Sequence, residues 1–470
     1  MAHLSSPHRE LIHLRSQVTV RRAAEDEVEL TENGHVARFA GLSEGQLAAL
    51  DNLLGEPRTE PELLRAVRAH DGEHSPARLS DLLTRLHRDG WVESTLVDGD
   101  RPLVTVTPTG SPVRARTPVA ESDVLVLSRF AILRRDGDRI LLESPRAKAV
   151  VAVHDDAVVA LLTGLRIPRP AASLTGPLSA EATAAVLEIL RAHSLVVPGD
   201  EEERDFALRQ WRPHELWFHS RTRLGRHDLP YGGTHWARDR FPALPSAREP
   251  FPGPAVPLAR PDGGQAAAPT PAFTDVLERR QSVREHDDTR PITAEQLGEF
   301  LYRCARVRGD RPGHTQELTY RPYPSGGSIY ELELYPVVSH VDGLASGIYH
   351  YDPFGHRLER VPDRVDAAPR LLSWARRITL MPGDPQVLIV ITARFGRMMW
   401  KYESMAYAAT LKNVGALYTT MYLVATAMGL APCGVGGGDS DLFAEATGLD
   451  YYAESSVGEF VLGSRPPTAA

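Results

Sequence analysis

Three lysines, Lys148, Lys401 and Lys412, stand among 53 basic residues; the other cations are arginines. In so arginine-biased a chain, a lysine marks a place where a guanidinium does not serve. Arginine stays protonated, whereas a lysine amine in an apolar surround can give up its proton and act as a base. Lys401 lies in Met398-Met399-Trp400-Lys401-Tyr402, with apolar residues before it and a phenol after it. The plainer alternative is a lysine at a helix start whose stem packs on Trp400.

Three other segments could hold a ligand beside such a base. Arg279-Arg280-Gln281-Ser282-Val283-Arg284 places charged and hydroxyl groups at alternate positions. In extended backbone Arg280, Ser282 and Arg284 project to one side. Two guanidinium groups and a hydroxyl so arranged make a phosphate clamp, although a solvated basic strand end has the same composition. In Tyr323-Pro324-Ser325-Gly326-Gly327-Ser328 the glycines let backbone approach a flat ligand closely; an ordinary turn would use the same residues. Pro432-Cys433-Gly434-Val435-Gly436-Gly437-Gly438-Asp439 is a second glycine-rich loop. Cys433 has no evident histidine partner and reads as a small packing residue. No metal is expected, because His219, His227 and His235 lack metal-ligand spacing and Cys304 and Cys433 are too few for a zinc site.

Regular elements must carry these segments. Glu331–Val338 alternates and then turns wholly apolar, as a core strand does. Leu411, Val414, Leu417, Met421, Val424 and Met428 recur at helical spacing, a core or dimer-facing stripe. Ala408, Ala409, Gly415 and Ala416 are small enough for close helix approach. Gly429 stops that helix and Pro432 prevents its resumption.

Taken together, the four segments resemble the nitroreductase superfamily of flavin enzymes. The likeness is greatest to its SagB/McbC-type azoline dehydrogenases, which mature thiazole- and oxazole-containing peptides, and it covers residues 272–470. The resemblance implies an α+β fold, a nitroreductase-like mixed sheet flanked by helices. It implies FMN, with Arg280, Ser282 and Arg284 on the phosphate and ribityl chain and Ser325, Gly326 and Gly327 against the ring. Arg465, just past Val461-Leu462-Gly463-Ser464, fits the basic residue with which the family returns to the phosphate. A backbone amide at Gly434 or Gly436 would meet flavin N5. Lys401 and Tyr402 become the catalytic pair, with the choice of base between them open. Also implied are an azoline-containing precursor peptide as substrate, a cyclodehydratase complex as partner, a homodimer, and dioxygen as electron acceptor.

The bulk numbers agree with such a protein. At 470 residues, 42% hydrophobic and 24% charged, the chain has the makeup of two to four globular domains. No apolar run would span a bilayer, and Met1–Pro7 lacks signal-peptide blocks; a cytoplasmic location without membrane contact is expected. A net charge of −8 offers no general attraction to nucleic acid.

Residues 1–110 and 120–203 read as two copies of one plan: strands, helices and a closing strand, in the manner of tandem winged-helix modules. In the first, Ser43 and Thr59 cap successive helices and Leu79, Leu82, Leu83 and Leu86 stripe a third. In the second, Asp136-Gly137 turns a hairpin. Residues 1–110 carry 12 basic against 18 acidic side chains, the wrong balance for DNA. Peptide docking along a strand edge and helix groove, or a scaffold role, suits them better. Residues 204–271 read as a connector, proline- and alanine-rich at Phe251–Pro271. Two rivals remain: an NAD(P)H-dependent nitro- or quinone reductase on the same fold, and a flavin-free scaffold or regulator built on the winged helices.

Overall fold

The computed structural model describes residues 8–32, 35–109, 116–261, 271–312 and 314–467. The chain forms two compact units, Met1–Leu229 and Pro230–Ala470. Among the described residues no helix is long and apolar enough to cross a membrane.

The first unit opens with the strand His8–Leu14 and a meander, Thr19–Ala24, Glu27–Glu32 and His35–Phe39. Three helices follow, Glu44–Gly55, Glu60–Asp71 and Ser75–Arg88. Capping boxes at Ser43–Gln46 and Thr59–Glu62 fix the first two starts by satisfying orphan amides. The second half holds the hairpin Ile132–Asp136/Arg139–Glu143, turned at Gly137, and two helices, Asp156–Gly164 and Ala180–Ala192. Between those helices stand the two-residue strand Arg169–Pro170 and the short 3-10 turn Ala171–Ser173. Strand Arg101–Pro108 pairs with Ala149–Val153, so one six-stranded sheet runs through both halves. The expected division near residues 110–120 is therefore a break in the chain plan and not in the sheet.

The expected connector is two anchored pieces. Helix Pro213–Arg221 belongs to the first unit: Trp217 Nε1 donates to the Phe130 carbonyl at 2.8 Å, and Arg221 pairs with Glu143 at 2.8 Å. Residues 230–261 belong to the second unit and supply the edge strand Ala255–Pro257. Residues 262–270 of the proline- and alanine-rich stretch lie outside the described residues.

The second unit is built on a seven-stranded sheet. Its order is Ala255–Pro257, Arg357–Val361, Gly347–Asp352, Leu332–Val338, Val387–Arg394, Glu454–Ser464, Leu430–Val435. Every pairing is antiparallel, so the sheet is not mixed in strand direction. The two central strands, Leu332–Val338 and Val387–Arg394, are buried throughout because helices cover both faces. Ile389 and Ile391 join a core with Leu297, Phe300, Leu417 and Met421, whereas Leu388 and Val390 join Leu371, Leu372 and Phe443 on the other side. The long helix Ala406–Ala427 lies on the first of these faces. Its buried arc includes Ala409, Asn413, Val414, Leu417 and Met421, while Leu411, expected in the stripe, is 38% exposed to one side of it.

A buried ion network braces the far end of this sheet. His350 lies between Glu333 (3.2 Å) and Glu359 (3.3 Å), and Phe251 packs on its ring. Burial opposes a charged His350, but the two carboxylates outweigh it and raise its pKa. His350 in turn holds Glu359 down to about 2. The Glu359 contribution is present above the ordinary carboxyl value of 4.5 and lost as pH falls toward 2. The His350 contribution is complete below 6.5 and lost as pH rises through its raised value. Thermal stability should thus peak at mildly acidic pH and decline on the alkaline side. His350→Gln should flatten that decline in melting curves taken across pH; an unchanged alkaline slope in the variant would count against the network.

Candidate active site

The Ser-Gly-Gly segment folds as a single 3-10 turn, Gly326–Ser328, entered through extended Ser325. Gly327 adopts φ +65°, a conformation natural to glycine. A β-carbon there would stand 2.6 Å from Tyr402 Oη and 3.5 Å from Lys401 Nζ. The missing side chain is what lets both functional heads reach this backbone. Lys401 Nζ also lies 5.1 Å from the centroid of the Tyr402 ring. Both residues are half-buried, in a turn between the short helix Phe395–Met399 and the long helix Ala406–Ala427 rather than at a helix start. The surround is apolar on one side only: Met398 and Trp400 are buried and Met399 is 38% exposed.

Three residues to which the sequence argument gives no role in the site hold this arrangement. Asn413, on the long helix, accepts from the Gly326 amide (3.0 Å) and donates to Ser325 Oγ (3.2 Å) and Glu331 Oε1 (2.8 Å). Burial pushes the Glu331 carboxyl up, against lowering hydrogen bonds from Asn413, Thr410 and Ser325. Arg397 is fully buried, four residues before Lys401. Its guanidinium donates to the carbonyls of Ile329 (2.7 and 3.1 Å), Leu244 (2.8 Å) and Glu317 (2.7 Å). It thereby ties the short helix before the lysine to the chain just past the Ser-Gly-Gly turn. Nothing in the local pattern around Asn413 or Arg397 marks either role, because every partner is distant in sequence.

The arginine segment and the second glycine loop come together around Tyr422, also on the long helix. Tyr422 Oη bonds Ser282 Oγ at 2.8 Å and accepts from the Gly434 amide at 2.7 Å, and Arg280 lies over its ring at 5.3 Å. The Val283 amide donates to Pro432 (2.8 Å), which lays the segment beside the strand Leu430–Val435. Arg280 and Arg284 are exposed, and among the described residues neither has an ion-pair partner. Arg465 follows the strand Glu454–Ser464, whose end is bonded to this same segment: the Asp287 amide donates to Ser464 O (3.3 Å) and Ser464 Oγ to Asp287 O (3.0 Å). Gly436 has open space where a β-carbon would be, while the Gly434 amide is already engaged by Tyr422. Cys433 is buried, and burial raises its thiol pKa. Among the described residues no group of three or more His, Cys, Asp or Glu side chains is arranged to hold a metal ion.

Asn413 and Tyr422 are nine positions apart on one helix, about 13 Å along its axis. The helix therefore serves as a rail, with a glycine turn and the Lys-Tyr pair at one end and unpaired arginines at the other. Such a site suits an elongated ligand with a flat head and an anionic tail.

Comparison with known proteins gives the family. The model of the nitroreductase family matches residues 277–464, and that of the cyanobactin oxidase ThcOx matches residues 125–228. A Methanocaldococcus jannaschii protein named as a nitroreductase is 30% identical over 162 residues, 34% of this chain and 77% of that one. The chain belongs to the nitroreductase family, and is an oxidoreductase of that fold. Within the superfamily it is similar to two further proteins. The microcin B17-processing protein McbC of Escherichia coli is 31% identical over 115 residues, 23% of this chain and 42% of McbC. The trifolitoxin-processing protein TfxB of Rhizobium leguminosarum bv. trifolii is 26% identical over 151 residues, 32% of this chain and 40% of TfxB. The chain thus spans less than half the length of these two peptide-processing relatives.

Proposed function

We propose that this protein is an FMN-dependent dehydrogenase that oxidises thiazoline or oxazoline rings of a ribosomally made precursor peptide to thiazoles or oxazoles. The observation that carries the reading is the meeting of Lys401 Nζ and Tyr402 Oη at Gly327 of the glycine turn. The names of McbC and TfxB, proteins that process microcin B17 and trifolitoxin, support a modified peptide as substrate.

The residues present fit FMN. Arg280, Arg284 and Arg465 suit its phosphate, Ser282 its ribityl chain, and Ser325, Gly326 and Gly327 its ring, with Gly436 offering an amide near N5, since the Gly434 amide is spent on Tyr422. At Gly327 the lack of a β-carbon lets Tyr402 Oη and Lys401 Nζ come close to the turn that the ring would lie against. When bound, FMN supplies the hydride acceptor. Everything else falls to the chain. One member of the Lys401–Tyr402 pair takes the proton from the ring carbon beside the peptide carbonyl. The other stabilises charge developing on that carbonyl oxygen. A homodimer, docking of peptide on the first unit, assembly with a cyclodehydratase and a cytoplasmic setting complete the proposal.

Arg280→Ala or Arg284→Ala should purify with less flavin. A charge-assisted contact contributes about 1.5–3 kcal/mol, so retention should weaken about 10- to 100-fold, read from visible flavin absorbance per protein. Full flavin content in both variants would remove the clamp from the account. The activity itself is tested by incubating flavin-loaded protein with an azoline-containing peptide and following the ultraviolet absorbance of a new aromatic ring. Flavin bleached rapidly by NADPH without peptide, and no ring formed with it, would favour a nitro- or quinone reductase instead.

A further inference from the structure

Tyr422 holds two members of the arginine segment at once, each through a different part of its side chain. Its hydroxyl meets Ser282 Oγ at 2.8 Å, and Arg280 lies over its ring, with the guanidinium carbon 5.3 Å from the centroid. The same hydroxyl is anchored on the second glycine loop. The Gly434 amide donates to Tyr422 Oη at 2.7 Å, and a β-carbon on Gly434 would press on that oxygen at 3.4 Å. The ring stands edge-on to Phe460, 5.1 Å between centroids.

The segment does not need Tyr422 to be docked. The Val283 amide already bonds the Pro432 carbonyl at 2.8 Å, and Asp287 is bonded to Ser464. Tyr418, one turn earlier on the helix, spends its hydroxyl on backbone: it donates to the Glu459 carbonyl (3.0 Å) and accepts from the Glu459 amide (2.8 Å). Tyr422 differs in having one backbone partner and one side chain with a hydroxyl of its own.

The protons can be counted. A phenol has one to give, and a backbone N–H can only donate. Tyr422 Oη therefore accepts from Gly434 and gives its proton to Ser282 Oγ, its other hydrogen-bond partner among the described residues. Ser282 accepts at that contact and keeps its own proton. The remaining neighbour of its hydroxyl is the Cys433 sulfur, a weak acceptor. Gly434 N–H, Tyr422 O–H and Ser282 O–H thus form a chain in which each donor strengthens the next.

We propose that Tyr422 is a positioning residue for FMN: its hydroxyl leaves the Ser282 hydroxyl free to donate to the ribityl chain, and its ring carries Arg280 as a cation for the phosphate. The inference rests on the FMN assignment made above and is independent of which substrate the flavin oxidises.

The test titrates full-length protein freed of flavin with FMN and with riboflavin, which lacks the phosphate, reading binding from flavin fluorescence. Tyr422→Phe keeps the ring and removes only the hydroxyl. It should weaken both flavins about 3- to 10-fold, the worth of one neutral hydrogen bond. Ser282→Ala should lose a like amount, and the double variant no more than either alone. Tyr422→Leu also removes the ring face; it should weaken FMN about 2- to 5-fold further, and riboflavin no further. Unchanged FMN binding in Tyr422→Phe, or losses that add in the double variant, overturn the inference and leave the FMN assignment standing. A further loss in Tyr422→Leu that riboflavin shares overturns the role given to Arg280. Tyr422→Phe alters no packing volume, so the cycle with Ser282→Ala decides even if Tyr422→Leu does not fold. Failure of the wild-type protein to bind FMN overturns the assignment and the inference together.

Discussion

Replacing Lys401 with alanine is expected to leave a folded, yellow protein that no longer forms azole rings. The side chain is half-buried and its head lies against Gly327 and the Tyr402 ring rather than in the packed core. Truncation therefore opens no buried cavity and should barely move the melting temperature. The flavin contacts expected of Arg280, Arg284 and the glycine turn do not involve it. A positioned base contributes about 10²–10⁴-fold in rate, or about 3–5 kcal/mol of barrier, and the loss should fall in kcat. Lys401→Arg is the sharper control, because a guanidinium keeps the charge but cannot give up its proton. If arginine restores turnover, the lysine acts as a cation and Tyr402 is the base. If alanine turns over normally, neither assignment of Lys401 stands.

The second large effect should come from Arg397, a residue that touches no proposed ligand. Its guanidinium satisfies three carbonyls, the buried one of Ile329 and the partly buried ones of Leu244 and Glu317. Burial lowers its pKa to about 10, so it stays charged at neutral pH. Arg397→Ala removes the donor and strands those carbonyls, at about 1–3 kcal/mol for each one left unpaired. A loss of about 3–5 kcal/mol should lower the melting temperature by roughly 10 °C for a unit of this size. Because Lys401 lies four residues beyond, surviving protein should also turn over slowly. Arg397→Lys should rescue little, since a single ammonium cannot serve three divergent carbonyls. A wild-type melting curve for Arg397→Ala would show that the rivet is dispensable.

How far the amino acids disclosed this site depends on how local each signal is. The Arg-x-Ser-x-Arg alternation, the Ser-Gly-Gly turn and the Lys-Tyr pair are each written within six residues, and the structure brings the turn and the pair into contact. Ser282 and Gly434 likewise meet, through Tyr422. Tyr422 and Asn413 were hidden inside a helix whose apolar stripe reads as core or as a dimer-facing surface. A phenol or an amide on such a stripe means packing or ligation depending on what folds against it. The stretch from Pro230 to Trp236, whose Gly232 exchanges backbone hydrogen bonds with Glu403, reads as connector because glycine, proline and aromatics suit a linker as well as a close backbone approach. Strand direction was illegible for a related reason: Leu332–Val338 alternates and then runs apolar, a pattern equally at home in a mixed or an antiparallel sheet. Hydrogen bonding between Arg101–Pro108 and Ala149–Val153 joins what sequence periodicity separates into two copies.

The central claim is most directly tested by mass spectrometry of an azoline-containing peptide incubated with the flavin-loaded protein and air. The account predicts a loss of about 2 Da for each ring, two hydrogens removed as a proton and a hydride, with no loss when Lys401→Ala replaces the wild type. An unchanged peptide mass in the presence of fully loaded protein would contradict it.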